Sequence, residues 1–381
     1  MSIPRGEDNG RHGASMTHSG SQITLHDIAR EAGTSVSTVS RVLNGREGAG
    51  EQTRARVLEI VERMNYTVNY AASNLKKRTA AFLAIFREHD EIGSRYAAHV
   101  EEGYIACVRE LSTFKARFET RYAPVDEAAI FGLLNEIYED ESQQIDGLLI
   151  TPFRSQRIIE LLQRFVEADV PVVFADKDLP SVGRITCVKP NNAIAGQLAA
   201  ELMYRFLRRD GTVLITDADV RTVYPIGKAD RLGTGSFIET MQSYTTGVRV
   251  EPIREPYVDE RLYDEVRTRL ETDPEIVGIF SASARHTAAV GPALRDSGRQ
   301  DEVQMIGSEV FAESFTLLRE GVIDALIYKN PFRVGYKALD SLFGYVVRGV
   351  RPPSEILVMP RVVLSSGFTS EDEGYSSLLE F

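Results

Sequence analysis

The sequence predicts two folds joined in one chain: a small all-α helix-turn-helix head, then a long α/β body of two lobes. Three observations carry this. Between residues 21 and 79, three short helical patterns lie close together, with a Gly-containing break between the first two. After Ala80, short apolar runs alternate with longer amphipathic segments, the pattern of βαβ units and a mostly parallel sheet. The body is roughly 300 residues long, more than one doubly wound unit needs, so two lobes are expected.

In chain order, residues 1–22 are rich in Gly, Ser, His and charge and read as a disordered tail, with Met16 as a second candidate start. Thr24 stands three residues before Asp27, as in a capping box, and opens a helix through Ala32. Gly33-Thr34-Ser35 breaks the chain, and a second helix spans residues 36–43 with Val39, Val42 and Leu43 on one side. Asn44-Gly45 ends it. A third helix over residues 51–64 is expected to bury Val57, Leu58, Val61 and Met64. In the body, residues 82–86, 147–151, 172–175, 185–188, 212–216, 277–282, 303–307 and 325–328 read as strands. Residues 157–167 and 193–207 read as helices between them, and the end from about Ser370 as an acidic tail. In such sheets ligands bind beyond the carboxyl ends of the strands, where the lobes face each other.

The formal net charge of −11 speaks against nucleic acid as a partner until it is divided. Residues 21–80 carry 9 Lys/Arg against 6 Asp/Glu, a balance of +3, and residues 1–20 balance at 2 and 2, which leaves −14 for the body. The head is mildly basic, and the acidity belongs to the body. Cys107 and Cys187 form no CxxC or Cys/His cluster, so no metal site is expected. Few cysteines, no apolar run of membrane length and no secretory leader point to a cytoplasmic protein.

The second helix offers a polar reading face. Ser35, Ser37, Thr38 and Ser40 supply hydroxyls, Val36 a methyl surface for a thymine, and Arg41 a guanidinium that can fork onto a guanine. For Ser35 alone a helix cap is the simpler role. The whole stretch ITLHDIAREAGTSVSTVSRVLNG, residues 23–45, closely resembles the start of lactose-repressor (LacI/GalR) family regulators, with Thr34 where Val is usual. Residues 53–57, TRARV, match the family's third helix. The resemblance implies a transcription regulator, usually a repressor, that binds a palindromic operator as a dimer. It implies base contacts at Val36, Ser37 and Arg41, phosphate contacts at Thr38, Ser40 and Asn44, and further DNA contacts at Thr24, Ser35 and Thr53. NYTVNYAASNLKKRT resembles the family's hinge: Tyr66, Asn69, Ala72 and Leu75 match, while Val68 replaces Pro and Ser73 replaces Arg. Asn69 and Ala72 are thus expected at DNA, and Leu75 as an apolar wedge in the minor groove.

From about Phe82 the chain is similar to the family's periplasmic-binding-protein-like (type I) sensor domain. DGLLITP, VPVVFADKDLP and IYKNPFRVGYKAL fit its strands and crossover. The expected division is a head at 23–69, a hinge at 70–80 and an effector and dimerisation domain at 81–366. Its first lobe takes 81–187 and 330–348, its second 188–329 and 349–366, and 367–381 is the tail. Arg95, Tyr96, Asp176, Arg231, Glu309 and Lys329 are the implied effector residues, a set suited to a polar ligand such as a sugar or sugar acid. No HExxH, GxSxG or GxxxxGK[ST] motif occurs, and Gly233-Thr234-Gly235 lacks the third glycine of a dinucleotide turn, so no cofactor and no catalysis are expected. An enzyme or a solute-binding protein fused to a helix-turn-helix is the alternative.

Overall fold

The computed structural model describes residues 25–43, 50–64, 79–88, 94–124, 126–140, 144–216, 232–253 and 259–367. The chain divides into two compact units, residues 1–70 and 71–381.

The head contains α1 (Leu25–Ala32), α2 (Val36–Leu43) and α3 (Glu51–Arg63). Gly33 closes α1 in the left-handed conformation, φ +64°, which a side chain would resist. The Ser35 hydroxyl then accepts the Thr38 N–H at 3.1 Å and caps α2. Ile28, Ala29, Ala32, Val39, Val42, Val57 and Ile60 form one core, with Val36, Val61 and Met64 packed partly against it. The expected α3 stripe needs one correction: Leu58 is 47% exposed, and Ile60 is buried instead. Positions 57, 60, 61 and 64 follow the i, i+3, i+4, i+7 rule, whereas residue 58 is rotated off that face.

The body holds two six-stranded sheets, each between helical layers. The first arises from β1 (Ala80–Arg87), α4 (Ser94–Leu111), β2 (Ala116–Ala123), α5 (Glu127–Glu139), β3 (Gly147–Ile150), α6 (Gln156–Glu167), β4 (Val172–Ala175) and β5 (Thr186–Pro190). The chain then enters the second lobe through α7 (Asn192–Phe206), β6 (Gly211–Thr216), α8 (Leu232–Tyr244), β7 (Val248–Ile253), α9 (Asp259–Thr272) and β8 (Ile276–Ser281). It continues with α10 (Ala284–Asp296), β9 (Gln304–Ser308), α11 (Ala312–Arg319) and β10 (Ala325–Tyr328). It returns to the first lobe as α12 (Pro331–Phe343), a π-helical turn at Gly344–Arg348 and β11 (Glu355–Val358), and crosses once more into β12 (Arg361–Val363). The sheet orders are β11-β5-β4-β3-β1-β2 and β12-β10-β9-β8-β6-β7. All pairs are parallel except β10 with β12.

The central strands are apolar on both faces because both are covered. Phe82, Ala84 and Phe86 of β1 face α4 and α12, while Leu83 and Ile85 face α5 and α6. In the second lobe Val213 and Ile215 face α7 and α8, while Leu214 faces the α9–α10–α11 side. One expected boundary is corrected. Residues 349–366 are expected in the second lobe, yet β11 belongs to the first sheet. It pairs with β5 from Glu355↔Cys187 to Val358↔Pro190, and a 2.5 Å Lys189–Glu355 ion pair clips the edge. The third crossing therefore falls between Val358 and Arg361.

No helix among the described residues is long and apolar enough to cross a membrane. Among the same residues no group of three or more His, Cys, Asp or Glu is arranged to hold a metal ion. Residues 1–22 and 368–381, the two expected tails but for Gly367, lie outside the described residues.

Candidate ligand cleft and DNA-reading helix

On the head, α2 carries Val36, Ser37, Thr38, Ser40 and Arg41. The Ser35 and Thr38 hydroxyls lie 2.9 Å apart, so the cap and the first turn share one hydrogen-bonded pair. Val36 is half-buried against the head core, Arg41 is exposed in the last turn, and Thr53 is half-buried in the first turn of α3. Thr24, Asn44, Asn69, Ala72 and Leu75 lie outside the described residues, as does Arg231 in the body.

In the body the sheet topology brings four of the expected effector residues together. Asp176 follows β4 directly and Tyr96 stands in the first turn of α4, both in the first lobe. Glu309 follows β9 and Lys329 follows β10, both on the second-lobe sheet. Arg95 precedes Tyr96 on α4. The two carboxylates are aimed by the same device. Asp176 and Glu309 each have φ +67°, a left-handed conformation that costs a non-glycine residue about 1–2 kcal/mol. Each is held there by its own N–H: Asp176 donates to the Val188 carbonyl at 2.8 Å and Glu309 to the Ile327 carbonyl at 3.0 Å. Strain maintained by the neighbouring strand turns both side chains off the ends of their sheets.

The charges of these groups act on one another. Glu309 is only 3% exposed. Its Oε2 accepts the Lys329 backbone N–H at 3.3 Å, and its Oε1 is buried without a hydrogen-bond partner among the described residues. Burial pushes the carboxyl up to about 7, against the pull of the Lys329 ammonium and N–H, and the Asp176 charge adds to the rise. Burial lowers the Lys329 ammonium, while Glu309 and Asp176 support its charge. Its Nζ donates to the Ala282 carbonyl at 2.8 Å. Burial, then the charges of Asp176 and Glu309, hold the Tyr96 phenol protonated far above its ordinary range.

Behind Glu309 lies a hydroxyl network that the sequence reading missed. Thr216, Ser281 and Ser308 are each the last residue of their strand and each fully buried. The Ser308 hydroxyl donates to the Ser281 carbonyl at 2.6 Å. Thr287 on α10 accepts the Ser308 N–H at 2.9 Å and lies 3.0 Å from the Ser281 hydroxyl. Thr216 accepts the Ala282 N–H and meets His286 Nδ1, both at 3.1 Å. The available signal was a hydroxyl ending three apolar runs, LIT, IFS and IGS. Replacing Thr287 by Val keeps the shape but orphans the buried Ser308 N–H. It is expected to cost about 1–2 kcal/mol, read as a lower urea midpoint at unchanged slope.

Gly233-Thr234-Gly235 also finds its role. It forms the first turn of α8, where a Cβ on Gly196 of α7 would lie 1.9 Å from the Gly233 carbonyl oxygen. The close approach depends on Gly196, while a Cβ on Gly233 would make an ordinary contact and one on Gly235 would meet open space.

Comparisons with known proteins agree with this architecture. Residues 134–349, more than half of the chain, match the periplasmic binding protein domain, and residues 24–69 match the bacterial regulatory proteins of the lacI family. The chain is 34% identical over 157 residues to the HTH-type transcriptional regulator pepR1 of Lactobacillus delbrueckii subsp. lactis, covering 40% of this chain and 43% of that one. The chain thus spans under half the length of the first curated relatives it matches. The HTH-type transcriptional regulator PtxS of Pseudomonas putida is 24% identical over 336 residues, 86% of this chain and 90% of that protein. Among solved structures, GanP, a glucose-galactose binding protein from Geobacillus stearothermophilus, superposes with a TM-score of 0.63 at 20% identity, covering 76% of this chain and 98% of that one. With more than half of its length matched by that model, the chain belongs to the periplasmic binding protein domain family, and its head, residues 24–69, is a helix-turn-helix domain of the lacI type.

Proposed function

We propose that the protein is a cytoplasmic transcription regulator, acting as a repressor, whose operator affinity is set by a small polar molecule held between the lobes of the body. The observation that carries this reading is the pairing, on one chain, of a lacI-type reading helix with a body that gathers Asp176, Glu309 and Lys329 at strand ends and Tyr96 on α4, from both lobes. In this reading residues 23–69 form the head, residues 70–80 the hinge, and Arg41 with Val36 and Ser37 reads bases. Two copies place two heads on a palindromic site. Ligand closure of the lobes shifts the pairing of first lobes between copies, and with it the hinge and the DNA. The acidic body is repelled by DNA and disfavours non-specific binding.

The ligand class follows from the charges in place. Two carboxylates, one ammonium and a protonated phenol suit a hydroxyl-rich neutral molecule, with carboxylates accepting from hydroxyls. A sugar acid needs the guanidinium groups of Arg95 and Arg231 as well. Calorimetry with neutral sugars against sugar acids separates the two, and binding of acids alone would reverse the preference. An enzyme with this fold would release its ligand chemically altered. Mass spectrometry of the recovered ligand distinguishes that case.

Selection from a random DNA pool should enrich a palindrome. Arg41→Ala should weaken binding to it by about 1–3 kcal/mol and relax one base position in each half-site. A pool with no enriched sequence, or full affinity in Arg41→Ala, counts against the assigned role.

A further inference from the structure

The Glu309 carboxyl is placed unlike a structural acid. It is buried, held in a left-handed turn at the end of β9, and tethered through one oxygen only, by the Lys329 N–H. Its second oxygen, Oε1, is buried with no hydrogen-bond partner among the described residues. A buried carboxylate oxygen without a donor is costly, and the group reduces that cost by holding a proton. Ionisable groups approach it from each element packed around it. Lys329 and Tyr328 come from the end of β10, Asp176 from the end of β4 and Tyr96 from α4. One layer further out stand Lys177 beside Lys329, and Glu102 and Arg361 beside Tyr328. The Lys329 ammonium makes no ion pair with this carboxylate: its Nζ donates instead to the Ala282 carbonyl at 2.8 Å. Asp176 opposes a second negative charge at this place.

We propose that Glu309 holds a proton on Oε1 before a ligand arrives and releases it to solvent when a ligand hydroxyl donates to that oxygen, so that ligand affinity rises with pH. The inference rests on the reading of this cleft as the ligand site. No bond in the ligand changes: the Glu309 O–H bond breaks, the proton leaves to solvent, and the ligand O–H becomes the donor. The sign follows from linkage. Burial sets the carboxyl to about 7 in the ligand-free protein, and a donor on the carboxylate lowers it. Affinity is therefore full above about 7 and is lost as pH falls below it. The ligand-free protein behaves in the reverse sense. A carboxyl raised by folding destabilises the fold progressively as pH climbs from the ordinary carboxylate range to about 7.

The test starts without ligand. In full-length protein labelled with ¹³C at the Glu carboxyl carbon, the signal absent from Glu309→Gln should titrate near neutrality, and a midpoint in the ordinary range near 4 overturns the proposal. Melting temperatures of Glu309→Gln and the unaltered protein should diverge as pH rises from 5 to 8, with the Gln variant higher at pH 8. A Gln variant that is less stable throughout, and increasingly so at high pH, marks a purely structural carboxylate and also overturns it. The same protein is then warmed with D-glucose, D-galactose, D-arabinose or D-ribose at pH 6 and pH 8. A stabilising sugar should give a larger thermal shift at pH 8, and Glu309→Gln should abolish that pH difference. Equal shifts at both pH values, or no shift with any of the four, overturn the coupling. Absence of operator binding in the same preparation would instead count against the regulator reading and leave the proton result standing.

Discussion

Replacing Gly103 by Ala is expected to cost about 3 kcal/mol, the upper end for overpacking in a closed core. A Cβ at this position on α4 would lie 1.8 Å from the backbone carbonyl oxygen of Phe332 on α12. The contact is reciprocal, since a Cβ on Gly335 of α12 would lie 1.8 Å from the Val100 carbonyl oxygen on α4. Each helix lays a glycine against the other's backbone, so the clash involves no side chain that could rotate away. Relief requires α4 and α12 to separate, and between them and the sheet lie Phe82, Tyr104, Val334, Ala338 and Leu342, all buried. In the second lobe the approach of α7 to α8 is one-sided, with only Gly196 laid against the partner helix's backbone. An internal control exists. Gly132 in α5 has open space where its Cβ would stand, so Gly132→Ala should stabilise by about 0.5–1 kcal/mol through helix propensity. Urea unfolding followed by circular dichroism checks both. A Gly103→Ala midpoint equal to that of Gly132→Ala would mean that the helices are not held at this distance. Tyr96 also lies on α4, so the same displacement should weaken ligand binding where the fold survives.

How much was legible in the sequence depended on burial. Strands β4 and β10 could be read to the residue because they are covered on both faces and leave uninterrupted apolar runs, VVFA and ALIY. The edge strands were missed. In β2, Arg117, Glu119 and Arg121 alternate with Phe118, Thr120 and Tyr122, and Tyr122 is 46% exposed. In β11 the outward Leu357 is 44% exposed, and the strand is recognisable only through its pairing with β5. That pairing joins residues some 170 positions apart, which local periodicity does not reach, and so the last lobe boundary was misplaced. In the cleft, Asp176, Glu309 and Lys329 were accessible through resemblance to a known pattern at strand ends. Their shared left-handed turn and the Thr216–Ser281–Ser308 network were not, because both depend on which strands lie side by side. Leu58 shows the opposite limit. An apolar residue inside a helical pattern satisfied composition, but its rotation off the 57–60–61–64 face put it in solvent.

Asn330 should yield the second large effect, with an unusual order of substitutions. It is 1% exposed, adopts φ 58° and ψ 59°, and caps α12 by accepting the Arg333 N–H on Oδ1 at 3.1 Å, with Pro331 at the first helical position. Asn suits both demands: it tolerates the left-handed region and supplies a capping oxygen. Ala meets neither. Losing the cap costs about 1 kcal/mol and forcing a Cβ into the left-handed region about 1–2 more, so Asn330→Ala should destabilise by about 2–3 kcal/mol. Gly loses the cap alone and should cost less than Ala, the reverse of the order found inside helices. The position magnifies the effect. Asn330 directly follows Lys329 and begins the passage from the second-lobe sheet to α12, whose Val334, Ala338, Leu339, Leu342 and Phe343 are all fully buried in the first lobe. A loosened first turn therefore frees the connection that carries Lys329, whose backbone N–H tethers Glu309, and Asn330→Ala should also shrink the thermal shift given by a bound sugar while Asn330→Gly largely keeps it. Equal stabilities for the two variants would show that the backbone relaxes out of the left-handed region at this crossover, and would remove the argument that the second lobe's charged groups are held in place by strain.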